Sequence, residues 1–463
     1  MAGEARALDL TRPARVHIVG VGGAGMSAIA LVLARMGHTI SGSDLKASAV
    51  LERLAAAGVD VHVGNRAEHV PDPVDAVVFS TAIPATNPEL VAARERGILV
   101  LHRSAALAAL CATRRCVAVA GSHGKTTSAS MLALVLRRAG WDPSFVIGGE
   151  VNEVGTNAAF GAGEWLVVEA DESDGTFLDL TPEAALVTNV EPDHLDYYGG
   201  IDALERAFAH FVSQVSGTVV VSADDPGAQR VAATRTGVRT FGYASHAHYR
   251  IVDEVADARG CRFTLVVDGT PRADLAVPLG VKAATNAAGA IAIAMELGVD
   301  VDVAAGALAG FGGVARRFQV RGERAGVTFV DDYAHLPGEV AAAIATAKQG
   351  PWQRVVVVFQ PHRYSRTASI GASFGDAFTE ADALVLTDVY PAGETPLPGV
   401  SGRIVLQAVL DRHPALPVAY LPARPDLAMV PARYSRPGDV VLTLGAGDLT
   451  TMPDEWLAAE VAE

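Results

Sequence analysis

The chain has 463 residues, room for about three domains at roughly 150 residues each. Half of the residues are hydrophobic and 19% are charged, which excludes a disordered or fibrous chain. The formal net charge is −15 and no Lys/Arg block is present, so neither a nucleic-acid partner nor a polybasic membrane anchor is expected.

Three cysteines, Cys111, Cys116 and Cys261, are an odd number without metal-ligand spacing, which fits a reducing cytoplasm. The first fifteen residues contain acids and no apolar core, unlike a signal peptide. No apolar run approaches the roughly 18 residues of a spanning helix, so no membrane insertion is expected.

Short β-type runs alternate with Ala/Leu-rich helical stretches, which predicts an α/β protein with mostly parallel sheets. Strands are expected at Val16–Val19, Thr39–Ser41, Ala76–Ser80 and Leu99–Leu101, then at Arg115–Ala120, Leu166–Glu169, Ala185–Asn189 and Thr218–Ser222. Residues 238–280 break the rhythm. Arg250–Val252 and Arg262–Val267, with turns at Gly260 and Asp268-Gly269, predict a small antiparallel insertion before a helix at Ala283–Leu297. After Gly312-Gly313, strands are expected at Thr328–Asp331, Val355–Phe359, Ala383–Thr387 and Val440–Leu444. Boundaries near 108–113 and 313–317 give three expected domains, 1–110, 111–314 and 315–463.

Two glycine-rich loops carry chemistry. Gly20-Val21-Gly22-Gly23-Ala24-Gly25 lies between the first strand and a helix expected at Met26–Met36, and fits a pyrophosphate at a helix N-terminus. Asp44 follows the next strand at about the spacing of a ribose-binding acid, and a dinucleotide site is open at this level. Gly121-Ser122-His123-Gly124-Lys125-Thr126-Thr127 lies between a buried strand and a helix at Ser128–Arg138. It would aim backbone N–H groups and Lys125 at a triphosphate and offer the Thr126 hydroxyl to Mg²⁺. Val119 stands where the strict P-loop pattern has Gly, so this is a variant loop. Lysine occurs at only four positions in the chain, and one of them is here.

Two acidic clusters follow strand ends, Glu169-Ala170-Asp171-Glu172-Ser173-Asp174 and Asn189-Val190-Glu191-Pro192-Asp193-His194-Leu195-Asp196. They lie at the carboxyl edge, where open α/β sheets bind ligands. Glu169 and Thr126 suit one magnesium ion, and His194 a second. The last third holds Ala315-Arg316-Arg317-Phe318, Asp331-Asp332-Tyr333-Ala334-His335, Gln360-Pro361-His362-Arg363-Tyr364-Ser365-Arg366-Thr367 and Gly445-Ala446-Gly447-Asp448. Arg363 and Arg366 form a cationic pair suited to a carboxylate or phosphate.

Taken together and in order, these segments resemble the Mur ligase family, in its alanine-adding branch, over nearly the whole chain. The resemblance implies three domains: a Rossmann-like UDP-binding domain, a P-loop-type ATPase domain with a parallel sheet and the antiparallel insertion, and a C-terminal Rossmann-like domain. It implies an ATP-dependent ligase that joins L-alanine to the carboxylate of UDP-N-acetylmuramate through an acyl phosphate, in peptidoglycan precursor synthesis. The cofactors would be ATP and Mg²⁺, with Mn²⁺ able to substitute, and the partners small molecules alone; a homodimer is left open.

By motif match, Lys125, Glu169, His194 and Arg317 would be catalytic, with Thr126, Glu169 and His194 as metal ligands. ATP would be bound by Gly121, Ser122, His123, Gly124, Lys125, Thr126 and Thr127 with Asn286, and its ribose by Asp332. The UDP-sugar would rest on Gly22, Gly23, Gly25, Ser43, Asp44, Ser80, Thr81 and Ala82, with Gly148, Gly149 and Asn157 facing its muramyl part. Tyr333, His335, Arg363 and Arg366 would line the alanine site. The branch assignment agrees with the lack of Lys in 195–216, where other Mur ligases carry a carbamylated lysine.

Five positions depart from the family pattern. Leu336 stands where a second histidine is usual, Gly338 where Thr is, Lys282 where His is, Ala283 where Asn is, and Asn65 where His is common. None removes a phosphate or metal group, so an active enzyme with altered nucleotide affinity is expected. Three rival readings remain: the recycling ligase that attaches a ready-made tripeptide, a catalytically impaired paralogue that only binds the nucleotide sugar, and an NAD(P) oxidoreductase. The last leaves Glu169–Asp174 and the second loop unexplained.

Overall fold

The computed structural model describes residues 8–257, 260–278, 280 and 282–459. The first seven of the fifteen residues read for a leader, and Val281 before the helix at Ala283, lie outside the described residues. The chain divides into two compact units. One runs up to Glu254 and includes Phe263–Ala276 and Ala284–Gly312; the other comprises Val255–Arg262, Val277–Ala283 and the chain from Gly313.

In the first unit, the apolar strand Arg15–Val19 (β1) is flanked by Thr39–Asp44 (β2) and Ala76–Phe79 (β4), with Asp60–Val63 (β3) and Leu99–His102 (β5) outside them. The order β3-β2-β1-β4-β5 is parallel at every pairing. The order reverses at β1, so a crevice opens above its carboxyl end, where the Gly20–Gly25 loop emerges.

The second sheet has ten strands: Arg115–Ala120 (β6), Ser144–Val151 (β7), Thr156–Ala159 (β8), Trp165–Glu169 (β9), Ala184–Val187 (β10), Val219–Ser222 (β11), Arg239–Gly242 (β12), Tyr249–Asp257 (β13), Gly260–Val267 (β14) and Thr270–Val277 (β15). Its order is β15-β14-β13-β12-β11-β10-β6-β9-β7-β8. β6 lies between β10 and β9, parallel to both, and is buried through Cys116–Ala120. The register pairs Val119 with Glu169 and Ala120 with Val187, so three strand ends converge on one point. The expected insertion is present. Asp268 and Gly269 both adopt positive φ in the two-residue turn joining β14 to β15, a connection only antiparallel strands accept.

One apolar core runs from Leu10 through Leu110, Cys111 and Cys116 to Val231, crossing the boundary expected near 110. The two sheets of the first unit therefore share a hydrophobic interior.

The second unit carries a six-stranded sheet of Gln319–Arg324 (β16), Val327–Asp332 (β17), Arg354–Phe359 (β18), Ala383–Leu386 (β19), Val418–Tyr420 (β20) and Asp439–Leu444 (β21). Its order is β16-β17-β21-β18-β19-β20, parallel except for the edge strand β16.

Differences from the sequence reading have local causes. β7 contains Gly148-Gly149-Glu150 and β8 is Thr-Asn-Ala-Ala, compositions that do not announce strands. β3, β16 and β20 are short or charged edge strands. The helices after both glycine loops begin earlier than expected, at Ala24 and Lys125, because the loop glycines serve as N-caps.

Candidate active site

The second glycine loop is held by the end of β10. Thr188 Oγ1 donates to His123 O (2.6 Å), Asn189 Oδ1 accepts from His123 N (2.9 Å), and Ser122 N donates to Asn189 O (3.1 Å). Two glycines are obligatory. Gly121 has φ +132°, and a Cβ there would overlap Thr188 Oγ1; Gly124 has φ +82°, and a Cβ there would lie 2.5 Å from Asn286 Oδ1. Asn286 thus closes over the loop and accepts from Ser128 Oγ (3.3 Å).

Lys125 opens the helix Lys125–Arg138. Its Nζ donates to Gly121 O (2.7 Å) and to Glu172 Oε1 (2.8 Å). Glu172 is fully buried, and burial pushes its carboxyl up to about 7 against the pull of Lys125. Burial works against the Lys125 charge too, but Glu172, Asp171 and Glu169 outweigh it and raise its pKa.

Thr126 Oγ1 donates to Glu169 Oε1 (2.9 Å), and Gly148 N donates to Glu169 Oε2 (2.7 Å). A hydroxyl and a carboxylate at a helix N-terminus are hard oxygen donors, the type magnesium prefers. Glu172, Asp193 and His194 form a second group whose ligand atoms lie within 4.8 Å of one another. His194 is held at φ +51°, a strained backbone for a non-glycine residue. The structure therefore brings Lys125, Thr126, Glu169, Asn286 and His194 around one loop, as expected.

Arg103 donates to Asp171 (3.0 Å) and Asp174 (2.9 Å), tying the helix Arg103–Cys111 to the acidic loop after β9. It also lines a cavity of about 120 Å³ with Gly25, Ile29, Gly148, Glu169 and Phe177. The end of the first glycine loop and Glu169 thus face one space.

At the edge of the first sheet, Gly22 N donates to Asp44 Oδ2 (2.9 Å). Asn157 Nδ2 donates to Ala24 O (3.1 Å) at the start of the first helix. Thr81 and Ala82 are exposed, and Ser80 O accepts from Ile83 N in the turn after β4. Ser43 is fully buried. Its hydroxyl donates to Glu89 Oε2 (2.6 Å), and its carbonyl accepts from Gly20 N and Val21 N (2.8 and 2.9 Å).

The remaining candidates lie in the second unit. Asp332 is buried, accepts from Phe318 N and Ala334 N (both 2.7 Å), and is pushed by burial up to about 6 against the Arg317 charge. Arg317 stacks over Tyr333 at 5.4 Å. His335 Nδ1 lies 3.1 Å from Tyr333 O, and its ring meets His362 edge-on at 6.0 Å. Burial, then the neighbouring His335 and two arginines, lower His362 to about 4. Arg366 Nη1 lies 3.3 Å from His362 Nδ1, so a neutral His362 accepts from the guanidinium. Arg363 is exposed at φ +69°, a second strained residue. Of the departures, Lys282 is exposed at φ +51°, and Leu336 precedes a helix whose Glu339 accepts from the backbone N–H groups of His335 and Leu336.

The sequence reading did not single out Glu172, Arg103, Thr188, His362 or Glu89. Glu172 lies inside a quoted motif, but spacing does not say which of its four acids meets Lys125. His362 likewise lies inside a quoted motif, four residues from Arg366, while Arg103, Thr188 and Glu89 meet partners distant in sequence, which leaves no local pattern.

Comparison with known proteins agrees with this geometry. Three family profiles match in succession: Mur ligase family, catalytic domain over residues 15–115, Mur ligase middle domain over 119–294, and Mur ligase, glutamate ligase domain over 316–447. The chain belongs to the Mur ligase family. A UDP-N-acetylmuramate–L-alanine ligase of Anaeromyxobacter sp. (strain Fw109-5) is 46% identical over 451 residues, covering 96% of this chain and 98% of the relative. A relative of the same name from Rubrobacter xylanophilus is 46% identical over 96% of this chain and 99% of its own length. Among solved structures, the UDP-N-acetylmuramate-alanine ligase of Thermotoga maritima superposes with a TM-score of 0.82 at 28% identity, over 96% of this chain and 98% of that one. A murein peptide ligase from Psychrobacter arcticus shares the fold, with a TM-score of 0.72 at 24% identity over 96% of this chain and 98% of that one.

Proposed function

We propose that the protein joins L-alanine to the lactyl carboxylate of UDP-N-acetylmuramate, with ATP converted to ADP and phosphate, in the cytoplasm. The observation that carries the reading is the convergence of Lys125, Thr126 and Glu169 at the end of β6, on a loop whose two glycines admit no side chain. The relatives' shared name supplies the substrates. The lack of any helix long and apolar enough to cross a membrane, among the described residues, is compatible with that location.

The residues act by positioning and charge, which is most of what phosphoryl transfer needs. The Gly121–Thr127 loop receives the triphosphate, and Lys125 moves its ammonium from Glu172 to the β- and γ-phosphates. A carboxylate oxygen of the sugar bonds to the γ-phosphorus as the bond to ADP breaks. The alanine nitrogen, as the free amine, then bonds to the acyl carbon, the bond to phosphate breaks, and the nitrogen passes one proton to the departing phosphate or to water and keeps the other as the amide N–H. Magnesium fits the oxygen donors Thr126 and Glu169, with His194 beside the acids Glu172 and Asp193 for a second ion. Bound there, it neutralises phosphate charge. Arg317 adds positive charge, Asp332 takes the ribose, and Tyr333, His335, Arg363 and Arg366 receive alanine. Asp44, Gly22, Gly25 and Asn157 hold the nucleotide sugar, in the division 1–110, 111–314 and 315–463.

Incubation of pure protein with ATP, Mg²⁺, UDP-N-acetylmuramate and each amino acid, with products identified by mass, tests the reading. Addition of a single alanine is expected. Product only with the tripeptide would transfer the chain to the recycling branch, and binding without turnover would make it the impaired paralogue.

A further inference from the structure

The N-terminal sheet buries a charged group that the proposed reaction does not use. Glu89 and His17 are both fully buried, a state in which ionisable groups persist only when partnered. Glu89 Oε2 accepts from Ser43 Oγ (2.6 Å) and lies 2.9 Å from His17 Nε2, while Oε1 accepts from Arg66 N (3.0 Å). His17 Nδ1 in turn lies 2.8 Å from Ser41 Oγ. One carboxylate thus ties together β1, the end of β2, the segment after β3 and the helix Pro88–Glu95, whose cap Asn87 fixes the Glu89 backbone (2.8 Å).

What it ties down is the edge of the crevice. Ser43 O accepts from Gly20 N and Val21 N, so the start of the first glycine loop hangs from the residue whose hydroxyl Glu89 holds. The next residue, Asp44, holds Gly22 N. The motif match would have Ser43 touch the ligand, but with no exposed surface its hydroxyl is committed to Glu89.

We infer that Glu89 is a positioning residue for the nucleotide-sugar site, setting the Gly20–Gly25 loop and the Arg66 backbone through Ser43 and His17 without touching the ligand. The inference rests on the reading of this edge as the UDP site. Four chains decide it: wild type, Glu89→Gln, Ser43→Ala and the double variant, titrated calorimetrically with UDP, with the KM for ATP measured alongside. Glu89→Gln replaces one carboxylate oxygen by an NH₂, so whichever way the amide turns, a donor is set against Arg66 N or against Ser43 Oγ and His17 Nε2. It is expected to weaken UDP binding about fivefold or more and to leave the KM for ATP unchanged. Adding Ser43→Ala to it is expected to bring little further loss, because both act through one path.

Binding of UDP by Glu89→Gln within twofold of wild type would overturn the inference while leaving the site reading intact. Fully additive losses would also overturn it, since Ser43 would then act directly. No UDP binding by the wild-type chain would overturn the site reading itself, and the inference with it. Should Glu89→Gln not fold, His17→Gln decides. His17 is sealed from the crevice, so an unchanged Kd overturns the inference and a threefold rise with unaltered KM for ATP supports it.

Discussion

Lys125 has two duties that substitution can separate. It neutralises the buried Glu172, and it is assigned to the triphosphate. Lys125→Met removes both. The ammonium at roughly 4 Å from a phosphate charge, in an effective dielectric of about 20, is worth about 4 kcal/mol, so turnover should fall about a thousandfold. Breaking a buried ion pair typically costs about 3–5 kcal/mol of stability, which for a unit of this size lowers the melting temperature by roughly 5–8 °C. Adding Glu172→Gln to Lys125→Met removes the stranded carboxylate. Melting should then recover most of the way towards wild type while phosphate release stays abolished. Differential scanning calorimetry gives the stability arm, and a coupled phosphate assay gives the other. UDP binding should survive in both variants. The reasoning is refuted if the double variant melts no higher than Lys125→Met, or if Lys125→Met keeps more than a tenth of wild-type turnover.

Gly121→Ala, with φ +132° and a Cβ overlapping Thr188 Oγ1, should weaken binding of an ATP analogue at least tenfold by calorimetry, with UDP binding unchanged. Arg363→Ala should raise the KM for L-alanine about tenfold or more, the worth of a charge-assisted hydrogen bond, and raise that for ATP much less. His362 is depressed from 6.5 to about 4, so the folded protein holds it neutral while the unfolded chain takes up a proton. Its contribution to stability is therefore complete above pH 6.5 and is lost as the pH falls towards 4, by about 2 kcal/mol after allowance for partial exposure; His362→Gln should flatten that part of the melting-versus-pH curve. Addition of EDTA should remove turnover and weaken binding of an ATP analogue, both restored by Mg²⁺, with UDP affinity unaltered.

The buried parallel strands were legible because short, mostly apolar runs with β-branched residues that end at a turn residue have few other readings: Val16–Val19 and Arg115–Ala120 before a glycine, and Val355–Phe359 before Gln360-Pro361, all appear where expected. Strands built on Gly148-Gly149 or on Thr-Asn-Ala-Ala were not, since their pairing comes from neighbours in space rather than from their own composition. The site divides in the same way. The Gly121–Thr127 loop and Glu169 could be read because a phosphate loop is local in sequence. Glu172, Arg103 and Glu89 could not, because their partners lie 47, 71 and 72 residues away at the long end, and contact over such distances leaves no spacing to detect.

Arg103 has a consequence for anyone wishing to isolate the N-terminal sheet. A fragment ending near residue 112 would strand a cation bred to face Asp171 and Asp174 and would open the apolar seam between Leu110 and Cys116 to water. The smallest piece that keeps this seam closed must carry the following sheet as well, and cutting the two sheets apart would leave a guanidinium without its carboxylates.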